Sequence, residues 1–143
     1  MSTLRLPYST LSPDAYRGLV NASIALSKST LGHSLIDLIN LRVSQINGCA
    51  FCLQMHAADL RKSGVSDAKL DQLAGWHVSS LFSDSERAAL AWAESLTHVA
   101  TDHAPDALFE ALKDHFDATE ISDLTISVAL INAFNRLAIG MRQ

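Results

Sequence analysis

Helix start and stop signals punctuate this chain from Ser12 to Thr119. No run between them alternates apolar and polar residues as a half-buried strand would. A backbone without strand patterning has to satisfy its N–H and C=O groups inside helices, so the expected class is all-α. Ser12-Pro13-Asp14 offers a cap, a proline at the first helical position and an acidic residue, ahead of Tyr16, Leu19, Val20 and Ile24 at helical spacing. A second helix is expected to open at Ser34, with Leu35, Leu38, Ile39 and Ile46 on its apolar face, and to break at Asn47-Gly48. A third is expected from Cys49 to Gly64, with Arg61 and Lys62 complementing its C-terminal dipole. Ser66-Asp67 caps a short segment reaching about Gly75, and Ser83-Asp84-Ser85-Glu86 reads as a capping box before residues 88–99. Pro105 begins a helix with Leu108, Phe109 and Leu112, and Thr119 caps the last, expected over residues 120–139. These signals predict about seven helices. If Asn47-Gly48 folds the second and third back on each other, the bundle is built around a central antiparallel hairpin.

The chain has 143 residues with no linker, low-complexity stretch or internal repeat, so one domain over residues 1–143 is expected, with enough length for a real core. Forty-eight per cent hydrophobic residues argue against disorder. A net charge of −4 without a basic stripe argues against a nucleic-acid partner. Apolar runs such as Val128-Ala129-Leu130-Ile131 fall short of a membrane span. The first ten residues lack an apolar signal core, so a cytoplasmic location is expected.

Two cysteines, three positions apart, are the chain's full complement. A cross-link that short removes little entropy from the unfolded chain, so redox or metal chemistry is a better reading than a structural staple. With helical rotation from Cys49, Cys52 and His56 fall on the same face, and His56 lies one turn beyond Cys52. The thiolate is the reactive form. The unpaired N–H groups of a first helical turn favour it at Cys49, and an imidazole four residues on favours it at Cys52. In an antiparallel hairpin Asp37 lies ten residues before Asn47 and His56 eight after Gly48, so they reach similar depths. Asp37 is then placed to orient His56, giving a carboxylate–imidazole–thiol relay. Two alternatives stand beside it. Cys49, Cys52 and His56, with His33 or His77, could hold zinc, or the cysteines could simply pack. Trp76, Trp92, Met55, Leu53 and Leu60 read as packing residues. Glu94 reads as a structural carboxylate for Arg42 or Arg136, and Asn132, Asn135 and Arg136 as hydrogen-bonding groups at a subunit contact or, second, as pocket lining.

The stretch from Asp37 through Arg-Val-Ser-Gln-Ile-Asn-Gly to Cys49-Ala-Phe-Cys52-Leu-Gln-Met-His56 resembles the core motif of the alkylhydroperoxidase-D-like, or carboxymuconolactone decarboxylase, family. The likeness continues through Ala89-Leu-Ala-Trp92-Ala-Glu94 and Ile131-Asn132-Ala-Phe-Asn135-Arg136. It implies an all-helical fold, assembly as homo-trimers or homo-hexamers, and a peroxide-reducing or thiol–disulfide activity needing neither cofactor nor metal. It also implies the roles. Cys52 attacks a hydroperoxide, Cys49 resolves the sulfenic acid as a disulfide, His56 is the relay base, and Asp37 stands where the family has glutamate. A dithiol or lipoyl-type carrier protein would restore the thiols. Two positions depart from the family pattern: Asp37 is one methylene shorter than glutamate, and Phe51 replaces a histidine between the cysteines. Lactone decarboxylases of the superfamily generally lack the cysteine pair, which directs the reading to redox chemistry. The remaining alternatives are a general dithiol oxidoreductase or redox sensor, and a non-catalytic helical oligomer.

Overall fold

Gly48 organises the fold. It ends α3 (His33–Asn47) in the left-handed region at φ 72°, a conformation that costs most L residues about 1 kcal/mol and glycine very little. The chain reverses there into α4 (Ala50–Lys62), and α3 packs more extensively on α4 than on any other element. The expected antiparallel hairpin is therefore the centre of the molecule. This computed structural model describes residues 4–143; residues 1–3, which the single-domain reading takes in, lie outside the described part.

Before the hairpin come α1 (Tyr8–Leu11) and α2 (Pro13–Leu26). After it come α5 (Asp67–Asp71), a 3₁₀ turn over Leu73–Val78, α6 (Asp84–Thr97), α7 (Val99–Asp102), α8 (Asp106–Leu112) and α9 (Ala118–Met141). No strand occurs among the described residues. The count exceeds the expected seven because α1 and α7 are single turns too short to show a period. The segment expected over residues 66–75 also splits in two, its second half tightening into 3₁₀ geometry around Gly75. Cys49 does not lie inside α4 as expected. It is the N-cap in extended conformation, with its sulfur accepting from the Cys52 N–H at 3.4 Å. The last helix is capped by Asp117 rather than Thr119, because Asp117 and Glu120 form a reciprocal capping box.

The core gathers apolar residues from α3, α4, α6, α8 and α9, with Ile39, Leu60, Leu73, Leu90, Leu112 and Leu124 fully shielded. Each such side chain contributes roughly 1.5–3 kcal/mol of burial. By length and composition α9 could cross a membrane, a possibility that short apolar runs did not flag. In this fold it instead packs on α3, α6 and α2. For Asn135 this packing corrects the subunit-contact reading. Asn135 is fully buried within the chain, accepting from Asn47 Nδ2 and donating to Ser44 Oγ, both at 3.0 Å. Asn132 donates to Thr97 Oγ1 of α6 and accepts from Asn47. Arg136 turns back onto Asn132 of its own helix.

These bonds tie the end of α3, just before the Gly48 turn, to α9. Asn135→Ala removes both of its bonds and leaves a void, although the Ser44 hydroxyl keeps its bond to the Asn40 carbonyl, so we expect a loss of about 2–4 kcal/mol in chemical denaturation. A loss under about 0.5 kcal/mol would mean the network does not hold the hairpin.

Candidate active site

Folding α3 against α4 brings Asp37 and His56 together. The Asp37 Oδ1 and His56 Nδ1 atoms are 3.5 Å apart, with the imidazole buried and the carboxylate partly exposed. That separation is longer than a good N–H···O bond, and neither ring nitrogen has a hydrogen-bond partner among the described residues. Asp37 thus stands within ion-pair reach of the imidazole without making a direct hydrogen bond to it.

Cys52 and His56 succeed each other by one turn of α4. Both line a cavity of about 430 Å³ between α2, the hairpin and α9. Asp37 and Asn40 enter it from α3; Leu130, Ile131 and Phe134 wall it from α9. Tyr8 and Tyr16 close one side, their rings 5.7 Å apart edge to face, and Tyr8 hydrogen-bonds the Gln143 side chain. Burial, assisted by the neighbouring Tyr16, pushes the Tyr8 phenol above its ordinary range, which keeps it a neutral donor.

Cys49 and Cys52 are joined as a disulfide with Cα atoms 5.3 Å apart. Both are nearly inaccessible, at 1% and 3%, against Ala138 and Ile139 of α9. They nevertheless face different spaces. Cys52 lines the large cavity with His56, whereas Cys49 lines a smaller recess of about 210 Å³ with Arg142 and Gln143. The extended N-cap conformation explains this, because it turns the Cys49 side chain back over the first turn instead of along the helix face.

The other polar residues singled out in the sequence lie elsewhere. Glu94 accepts from Arg42 Nε at 2.8 Å and Trp76 Nε1 at 2.7 Å, and His77 Nε2 lies 3.2 Å away. Arg42 rather than Arg136 is thus its partner, and Trp76 has a polar role besides packing. Burial alone would raise the Glu94 carboxyl, but the bonds from Trp76 and Arg42, the Arg42 charge and His77 outweigh it and hold the group below its ordinary value. With His77 stacked on Trp76 at this cluster, it is not in the cysteine cavity; His33 is. In the oxidised state the disulfide leaves no thiolate for a cysteine–zinc site; in the reduced state both thiols are free.

The sequence reading missed Asp59, three residues beyond His56, which is exposed and lines the same cavity. Its one available signal was the i, i+3 spacing from His56.

Residues 12–95 match the carboxymuconolactone decarboxylase family. An uncharacterised protein of Bacillus subtilis, YdfG, is 32% identical over 137 residues, covering 96% of this chain and 93% of its own length. An uncharacterised Escherichia coli protein, YnjA, is 34% identical over 114 residues, 80% of this chain and 62% of its own. A crystal structure of an Agrobacterium tumefaciens protein of unknown function, described as a candidate antioxidant defence protein AhpD, superposes with a TM-score of 0.94 at 38% identity. The match covers 99% of this chain and 97% of that one. An uncharacterised peroxidase-related protein from Ralstonia eutropha with an alkylhydroperoxidase AhpD core matches with a TM-score of 0.80 at 27% identity, over 94% of this chain and 73% of that one.

Proposed function

The chain belongs to the carboxymuconolactone decarboxylase family, and from that premise we propose that it is a thiol-dependent peroxidase-like oxidoreductase acting on hydroperoxides. The observation that carries this reading is a cavity holding Cys52, His56 and Asp37 together, with the second cysteine already within bonding reach of the first.

In the reduced protein His56 takes the Cys52 proton. The thiolate attacks the terminal peroxide oxygen, the O–O bond breaks, and the imidazolium returns the proton to the departing alkoxide. Sulfur loses two electrons and becomes a sulfenic acid. Cys49 then attacks that sulfur, water leaves, and the disulfide forms. A dithiol such as a lipoyl carrier supplies two electrons and two protons to restore both thiols. The mostly apolar walls suit the organic part of an alkyl hydroperoxide. Such a cycle belongs in a reducing compartment, so we place the protein in the cytoplasm, and by analogy with its family as a trimer or hexamer.

The test is thiol counting. Adding one equivalent of an alkyl hydroperoxide to the reduced protein should remove two thiols, a dithiol should restore them, and the cycle should turn over. Retention of both thiols in excess peroxide would end the reading. A second reading, a dithiol oxidoreductase or redox sensor, draws support from Phe51 between the cysteines and from the long Asp37–His56 contact. It would show the same two-thiol change without steady turnover.

A further inference from the structure

We propose that Asp37, His56 and Asp59 form a binding site for a divalent zinc-type metal ion, distinct from any cysteine site. Its occupation would take His56 out of the thiol chemistry, a consequence that rests on the function proposed above.

Three observations converge. One ligand atom from each residue lies within 4.8 Å of the other two, so a single ion can reach all three. The Asp37–His56 separation of 3.5 Å is poor for a hydrogen bond. It is, however, close to the roughly 3.4 Å between two ligands of a tetrahedral ion with bonds of about 2.0–2.1 Å. His56 is 7% exposed, yet neither ring nitrogen has a hydrogen-bond partner among the described residues. A buried polar group left this way costs roughly 1–3 kcal/mol, and a metal bond would remove that cost at Nδ1.

The scaffold suits the role. Asp37 comes from α3, and His56 and Asp59 from α4, so two of the donors lie on one helix at i, i+3 and the third on its hairpin partner. Asp59 is exposed, so its carboxylate can swing inward by the ångström or so that the wider separations require. The adjoining cavity has room for a water as fourth ligand. Two carboxylates bring charge that attracts a cation, while the imidazole selects borderline metals over magnesium or calcium. None of these donors is a cysteine, so the site persists when Cys49 and Cys52 are oxidised. Once coordinated, His56 Nδ1 can no longer be held by Asp37 alone, and the relay that would deprotonate Cys52 is interrupted.

The oxidised, untagged protein is therefore the right material, because its disulfide cannot bind zinc. Calorimetric titration with zinc chloride should give one saturable site. Asp59→Asn, an exposed change that leaves the fold intact, should weaken it at least about tenfold, and Asp37→Asn should do likewise. Absence of saturable binding, or equal affinity in wild type and Asp59→Asn, would overturn the site. In turnover assays with an alkyl hydroperoxide, the zinc concentration for half-inhibition should rise by a similar factor in Asp59→Asn, each protein being referred to its own metal-free rate. Inhibition unaltered by that change would place zinc on the thiols and refute the regulatory half. If wild type binds zinc but shows no turnover without it, the peroxidase reading fails and the metal site stands.

Discussion

Cys52→Ser should lower hydroperoxide turnover by roughly a thousandfold or more, equivalent to about 4 kcal/mol in the barrier, because no other residue lining the cavity offers a thiol; the Met55 thioether there can be oxidised but cannot cycle through a disulfide. The companion change separates the roles. Cys49→Ser should still consume one equivalent of peroxide in a single turnover and leave a sulfenic acid on Cys52, trappable with a dimedone probe. It should not cycle, for lack of a resolving thiol. Sulfenic acid found only on Cys49 in the Cys52→Ser protein would reverse the assignment. Reversal is a real physical alternative. Cys49 caps α4, and its sulfur accepts the Cys52 N–H, so a thiolate there gains from the helix N-terminus. Cys52 has no such cap; its advantages are an imidazole one turn away and its place on the large cavity. Each thiol thus has a different candidate for its activation. That division suits a cycle in which both sulfurs act as nucleophiles in turn.

His56→Gln should reduce the rate constant for peroxide attack by about a hundredfold to a thousandfold, the usual worth of a positioned general base. It should also move the pH dependence of Cys52 alkylation toward that of an ordinary thiol. Glutamine retains much of the ring's bulk, which separates loss of chemistry from loss of packing at this buried position. Asp37→Asn should act in the same direction with a smaller effect, since Asp37 works only through His56. An alkylation profile unchanged by Asp37→Asn would remove the carboxylate from the relay. A profile unchanged by His56→Gln would remove the imidazole too, leaving the N-cap as the sole activating feature.

Several features of this site could be read from local residue order. Helix class, the break at Asn47-Gly48 and the hairpin depends on capping, glycine stereochemistry and apolar period, each confined to a few neighbouring residues. The meeting of Asp37 and His56 followed as well, because counting equal distances from a tight turn needs no knowledge of the rest of the fold. Elsewhere local reading misplaced detail. A residue at the first position of a helix and one at its N-cap differ in sequence by a single step, but only the N-cap conformation turns the Cys49 sulfur onto the Cys52 N–H. Likewise, asparagines in an apolar helix signal a polar contact without saying where the partner lies. Asn135 finds Ser44 across 91 positions of chain, inside the molecule rather than between subunits.

The residue order of this chain determined by itself which segments are helical, where the central turn falls, and that two thiols and an imidazole share one short stretch. Tertiary structure alone decided which cavity each sulfur faces, what the α9 asparagines hold together, and that Asp59 joins Asp37 and His56. The reason is physical. Helix formation and capping act over a turn or two of backbone, whereas a cavity and a ligand cluster exist only after distant helices have packed and excluded water between them.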